Sequence, residues 1–239
     1  MNKILNNLKV NIFADGANKK DILELNSKDF IKGFTTNPSL MKKSGITDYE
    51  KFSKDILQIV NKKPFSLEVF ADDFEEIEKQ ARKISQWGEN VYVKIPITNS
   101  KGEKSISLIK KLSNEGVKLN ITAIFTIKQI EETIDALNKN VNSIISIFAG
   151  RIADTGIDPV PYIIKAKDLI GDNENLMTLW ASTRQIYSIF EADKVGCKII
   201  TVPHEMLNKL DILEKKLEEY SLETVNQFYK DAISSNFKI

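Results

Sequence analysis

Residues 91–97 read Val91-Tyr92-Val93-Lys94-Ile95-Pro96-Ile97, a largely β-branched, apolar run with one lysine at its centre. Such a run has the character of a buried strand. Packing gives no reason for an ammonium there, because burying one without a partner is costly. Burial also disfavours the charged form, and a neutral amine can attack a carbonyl to form a Schiff base. The stretch therefore predicts a reactive lysine carried on a strand.

Seven further short runs read as strands: Val10–Asp15, Lys32–Thr36, Phe65–Phe70, Lys118–Ile124, Ser143–Phe148, Asn175–Ala181 and Lys198–Val202. Between them lie amphipathic segments with apolar residues at three- and four-residue spacing, such as Phe52, Ile56, Ile59 and Val60, or Ile106, Ile109 and Leu112. Asp72 or Asp73 is placed to cap the helix through Ile77 and Ala81, and Gly116 to stop the one before it. Strands separated by helices need crossovers, which makes the sheet parallel. Eight such units predict an α/β fold, a closed (β/α)8 TIM barrel. A doubly wound open sheet is the alternative, weakened by the lack of a Gly-rich phosphate loop after any early strand.

No linker or low-complexity segment interrupts the chain, so residues 1–239 read as one barrel domain with residues 206–239 as a C-terminal helical extension. The pattern there predicts two helices, Met206–Tyr220 and Leu222–Phe237. A barrel needs one closing helix; the second carries an apolar face of Leu222, Val225, Phe228, Tyr229 and Ile233. That face either caps its own barrel or docks on a neighbouring subunit.

Composition excludes several classes of function. A net charge of +1 gives no bulk attraction to nucleic acid or to an anionic membrane. No apolar run is long enough to span a bilayer and the N-terminus lacks a signal-peptide core, so a cytoplasmic protein is expected. The one cysteine, Cys197, fits a reducing compartment and reads as a packed residue. One histidine, His204, leaves no basis for a multi-histidine metal site or a histidine triad.

In a barrel of this kind reactive groups project from the C-terminal ends of the strands. Those ends carry Asp15, the run Thr35-Thr36-Asn37-Pro38-Ser39, Glu68, Lys94, Asn120 with Thr122, the run Ser146-Ile147-Phe148-Ala149-Gly150-Arg151, and Ser182-Thr183-Arg184. Their convergence points to one site. Lys94 is the nucleophile of a ketose carbonyl, and Asp15 takes the proton of the hydroxyl at the breaking carbon–carbon bond. Glu68 and Thr122 hold a water that shuttles protons as the carbinolamine dehydrates. Asn37 binds a substrate hydroxyl, and Arg151 and Arg184 suit a terminal phosphate or another oxyanion. No cofactor and no metal are expected, because an iminium is itself the electron sink.

The chain resembles the transaldolase and fructose-6-phosphate aldolase family, short barrel type, from about Val10 to Met206. The resemblance rests on Phe13-Ala14-Asp15, Thr35-Thr36-Asn37-Pro38-Ser39, Val93-Lys94-Ile95-Pro96, Ile121-Thr122-Ala123, Phe148-Ala149-Gly150-Arg151-Ile152, Ala181-Ser182-Thr183-Arg184 and Thr201-Val202-Pro203, in that order. It implies a Schiff base between Lys94 and a dihydroxyacetone unit, with Asp15 as acid and base. It also implies contacts to that unit from Asn37 and Ser182, and sugar-phosphate binding by Arg151 and Arg184. Thr35, Asn120, Ser146 and Phe148 complete the expected substrate-binding set.

Within the family, a glutamate on strand three and a phenylalanine before the Gly-Arg pair mark transaldolases, where the aldolases carry glutamine and tyrosine. Glu68 and Phe148 therefore imply a transaldolase of the pentose phosphate type, with a lyase releasing free dihydroxyacetone as the alternative. Gly16, the stretch Asn142–Ile145 and the bulk of Leu179-Trp180 expected near the mouth depart from the family pattern. They keep open an anionic sugar outside central metabolism. A sugar-phosphate-binding barrel without catalysis is the reading from another class, and the presence of Lys94, Asp15, Glu68 and Thr122 argues against it. The resemblance further implies a homo-oligomer, a pentamer or decamer.

Overall fold

The computed structural model describes residues 2–235; the last two residues of the expected helix, 236 and 237, lie outside them. Eight strands, β1 (Asn11–Asp15), β2 (Ile31–Thr35), β3 (Phe65–Glu68), β4 (Val91–Pro96), β5 (Leu119–Ile124), β6 (Ser143–Ile147), β7 (Leu176–Trp180) and β8 (Ile199–Pro203), pair in sequence order into a closed barrel. Every neighbouring pair is parallel, β8 with β1 included. The open-sheet alternative is thereby removed. Helices on the outer face cover the barrel, so the strands are buried on both faces and read as continuous apolar runs.

The two faces have different cores. Outward side chains such as Ile12, Val93, Ile95, Ile121, Ile145 and Val202 pack with Ile56, Ile77, Ile109, Leu112, Ile130 and Ile163 from the helices. Inward side chains fall into tiers of four from alternate strands, set by the register. Gly33, Tyr92, Ile144 and Ile199 form the floor, and Phe13, Ser66, Asn120 and Leu179 lie above it. Thr35, Lys94, Ser146 and Thr201 come next, and Asp15, Glu68, Thr122 and Ala181 ring the mouth. The apolar members of the lower tiers pack as a separate cluster, so polarity rises toward the strands' C-terminal ends. Gly33 serves this stacking directly, because the Phe13 ring fills the space its Cβ would need.

Local signals act as the sequence implies. Asp73 caps the helix Phe74–Ser85 by accepting from the Glu75 and Glu76 amides, whereas Asp72 holds Ser100 of the next mouth loop. Gly116 ends the helix Ile106–Asn114 at φ +86°, a conformation that favours glycine. Cys197 is buried, and burial pushes its thiol up to about 11.

Three details differ from expectation. Leu179 lies in the second tier and Trp180 faces the outer helices, so neither adds bulk at the mouth. Ile144, within the unusual stretch 142–145, is part of the barrel floor. After β8 the chain forms a short helix His204–Leu207 and a 3-10 turn Leu210–Ile212, then one long helix Leu217–Ser234 that runs through the expected break at residue 221. The turn forms because Leu207 and Leu210 are anchored in the core while Glu214 takes a left-handed φ of 67°. The long helix buries none of its residues against its own barrel. Leu217, Leu222, Val225, Phe228, Tyr229 and Ile233 stand 58–79% exposed along it.

Candidate active site

Lys94 projects from β4 into the upper barrel and is 7% exposed. The Glu68↔Lys94 register brings the Glu68 Oε2 to 2.8 Å from its Nζ. The amine also donates to the Thr36 carbonyl at 2.8 Å. The unpartnered lysine expected from the sequence is thus a compensated one. A buried ammonium persists when a carboxylate and further acceptors replace its water. The same contact gives the amine a proton acceptor within hydrogen-bond reach, the geometry needed to unmask a nucleophile.

Asp15 closes β1 beside this pair. Burial pushes its carboxyl above the ordinary carboxylate range; the nearby Lys94 charge and the Thr35 hydrogen bond oppose that shift, and the Glu68 charge adds to it. Thr35 donates to Asp15 Oδ1 at 2.8 Å and shares a short hydrogen bond with the Thr201 hydroxyl. Thr183 in turn donates to the Thr201 carbonyl at 2.7 Å, which ties the β7 end to β8.

Thr122 sits in the mouth tier at a bulge, where the β5–β6 register shifts between Ile121 and Ile124. Ala123 at this bulge has φ 59°, a left-handed conformation that costs a non-glycine residue about 1–2 kcal/mol. Such a bulge re-aims the neighbouring side chain. Strained backbone is tolerated where function holds it in place.

Asn120 and Ser146 meet below the amine. Asn120 donates to Ser66 Oγ at 3.0 Å and accepts from Ser146 Oγ at 2.7 Å, and all three are sealed from solvent. They form a sealed polar cluster across the second and third tiers rather than an open contact surface. Ser66 escaped the sequence reading, although its place two residues before Glu68 on the same inward face would have found it. Asn37 spends its Oδ1 on capping the helix Pro38–Lys43, accepting from the Leu40 amide at 3.0 Å. Its amide NH2 is the group left for a ligand.

Beyond the mouth tier, Phe148 packs against Phe125 with ring centroids 5.5 Å apart, and the Arg151 guanidinium lies 5.4 Å from the Phe148 centroid. Arg184 is gripped by Asp154, a residue the sequence gave no reason to select. Tyr49 was likewise missed: its hydroxyl donates to the Glu68 carbonyl at 3.0 Å and its ring packs edge-on against Phe70. Ser182 turns the β7 end with φ 64°, and its carbonyl occupies the space that a Cβ at Gly150 would need. The G150A variant is therefore expected to push the helix Ala149–Asp154 away from Ser182–Arg184. We expect destabilisation of about 1–3 kcal/mol by denaturant titration, together with weaker binding of anionic substrates. Unchanged stability and binding would mean that the two segments part freely.

Among the described residues, no group of three or more histidine, cysteine or acidic side chains is arranged to hold a metal ion. The mouth instead joins an amine, two carboxyl groups, a threonine hydroxyl and, further out, two guanidiniums.

Comparison with known proteins gives the family. A probable transaldolase from Methanococcus maripaludis is 38% identical over 199 residues, covering 83% of this chain and 88% of that one. Another from a Thermoanaerobacter species is 34% identical over 222 residues, covering 92% and 97%. Among solved structures, a putative lyase/mutase from Burkholderia cenocepacia superposes with a TM-score of 0.59 at 12% identity, over 96% of this chain and 85% of that one, a likeness of fold alone. Residues 12–239 match the profile of the transaldolase/fructose-6-phosphate aldolase family, and with relatives this similar over most of its length the chain belongs to that family.

Proposed function

We propose that the protein is a Schiff-base transaldolase that moves a dihydroxyacetone unit from a ketose phosphate to an aldose phosphate. The observation that carries this reading is the Lys94 Nζ, buried in the mouth 2.8 Å from Glu68, with Asp15 beside the pair. Glu68 takes a proton from Lys94, and the free amine adds to the ketose carbonyl carbon. The resulting carbinolamine loses its hydroxyl as water, with Glu68 and Thr122 relaying protons, and becomes an iminium. Asp15, ionised, removes the proton of the hydroxyl on the far carbon of the bond that is to break, two carbons from the iminium carbon. The carbon–carbon bond then breaks and its electron pair moves into the iminium, leaving an enamine and a free aldehyde. An incoming aldehyde accepts the enamine carbon, Asp15 returns the proton to the new alkoxide, and water releases the product from Lys94. A carboxyl whose pKa burial raises above the ordinary carboxylate range suits both directions of that transfer.

Phe148 favours transfer over release. Its ring carries no proton for the enamine carbon, so the intermediate waits for an acceptor. Borohydride added with fructose 6-phosphate should reduce the imine to a stable adduct on Lys94, read by peptide mass. Turnover should require an acceptor aldehyde. An adduct elsewhere, or none, would remove the mechanism, and acceptor-independent release of dihydroxyacetone would make the protein a lyase. Gly16 supports a second reading of the substrate, since nothing lies within 4 Å of where its Cβ would be. That space beside Asp15 leaves room for a sugar other than fructose 6-phosphate, and a donor-by-acceptor panel scored by product mass decides it.

The exposed apolar face of Leu217–Ser234 supports a homo-oligomer. Ending the chain at Lys216 should lower the mass in solution to that of a monomer; a full-length chain that is already monomeric would discard this. No helix among the described residues is long and apolar enough to cross a membrane. With one buried free cysteine, the chain fits the reducing cytoplasm.

A further inference from the structure

Asp154 ends the short helix Ala149–Asp154 that also carries Arg151. The Ser182 carbonyl leaves no room for a side chain at Gly150, so this helix is pressed against the end of β7. That contact delivers Asp154 to Arg184. Arg184 Nε lies 3.2 and 3.0 Å from the two carboxylate oxygens, and Nη2 lies 2.8 Å from Oδ2. The guanidinium is held side-on, through Nε and Nη2, and the Nη1 edge is not engaged by the carboxylate.

Both side chains are about half exposed, 49% for Arg184 and 50% for Asp154. An ion pair that open to water adds little to folding stability. Its consequence is orientation: a long, many-rotamer arginine is fixed in one direction before a ligand arrives, and preorganisation lowers the cost of binding. Arg151 is fixed differently, by the Phe148 ring beneath its guanidinium. The two guanidiniums are thus each held by a dedicated support, one a carboxylate and one an aromatic face.

We propose that Asp154 is a positioning residue for substrate anion recognition. It aims the free edge of Arg184 at the phosphate of the sugar, and it sets the net charge of the Arg151–Arg184–Asp154 cluster at +1. This rests on the reading of Arg151 and Arg184 as the phosphate-binding pair.

The test compares the parent enzyme with D154A, D154E and R184A on matched donors, fructose 6-phosphate and unphosphorylated fructose, with one unphosphorylated acceptor aldehyde. For D154A, we expect KM for the phosphorylated donor to rise about tenfold with kcat within about twofold, the pattern of lost uniform binding. kcat/KM for unphosphorylated fructose should stay within about twofold of the parent. D154E, which keeps the charge, should recover most of the loss, and thermal unfolding should not move. A D154A enzyme with unchanged or lowered KM would overturn the proposal, and so would equal losses on both donors. If R184A raises KM for the phosphorylated donor while D154A does not, only the positioning role falls. If neither variant affects it, the phosphate-site reading falls as well. Borohydride trapping on Lys94 reports on the catalytic reading separately from both.

Discussion

Replacing Lys94 with methionine is expected to lower turnover at least about 10⁴-fold and to abolish the borohydride adduct. Methionine matches the unbranched stem of lysine but has no amine, and an enzyme that has lost its nucleophile retains only what binding and orientation supply. The variant also strips Glu68 of its partner. A buried carboxylate left without its cation is destabilising by about 3–5 kcal/mol unless it takes up a proton. K94M should therefore unfold at a lower temperature than the parent. The double variant K94M/E68Q should regain much of that stability and none of the activity, because a neutral amide is cheaper than an unpaired charge. This separates a chemical role from a folding role. Full turnover in K94M would place the reaction elsewhere in the chain. Unchanged stability in K94M would mean that the 2.8 Å contact with Glu68 is not a mutually dependent pair.

That contact also marks how far the sequence could be read. The strands were legible because both faces of a parallel barrel are buried, which turns each strand into an apolar run whose ends lie within two residues of the observed ones. The polar residues at their C-terminal ends were legible for the complementary reason: a lysine or glutamate inside such a run needs a cause. Pairing was not legible, because register decides it. Nothing local in Val91–Ile97 says that β3 sets Glu68 opposite Lys94, or that the Thr36 carbonyl is the second acceptor. Asn120 and Ser146 read as ligand contacts on their own, whereas the register stacks them with Ser66 into a sealed cluster. Asp154 and Tyr49 carried no signal at all, since each acquires its place from a partner distant in sequence, Arg184 and the Glu68 backbone. The C-terminal helix shows the limit from the other side. Its amphipathic face was plain in the sequence, but a face alone names no partner, and its own barrel does not cover it.

Replacing Asp15 with asparagine should have opposite effects on activity and stability. Asparagine keeps the shape and one acceptor for the Thr35 hydroxyl but cannot carry a proton between hydroxyl and alkoxide. General acid–base groups contribute roughly 10²–10⁴-fold, so kcat should fall by that order. In the proposed mechanism imine formation depends on Lys94 and Glu68, so the borohydride adduct should still form, and trapping without turnover is the signature sought. The stability effect follows from the raised pKa, whose largest cause is burial. In the unfolded chain the carboxyl ionises near 3.8, whereas in the folded chain it holds its proton to higher pH. Between those two values the folded state binds more protons, so this group's contribution to stability is complete below 3.8 and declines as pH rises through the folded value. Above the folded value the parent bears the full cost of a buried ionised carboxylate and D15N does not. The variant should then melt at a higher temperature than the parent near pH 7, with the gap closing as the pH falls toward 3.8. The acid limb of the parent's kcat–pH profile should lie above the ordinary carboxylate range, because in the proposed mechanism Asp15 ionises to start the cleavage, and D15N should lack that limb. A D15N enzyme that cleaves at the parent rate would assign the proton transfer to another group, and one that is less stable at neutral pH than in acid, relative to the parent, would mean that Lys94 outweighs burial at this carboxyl.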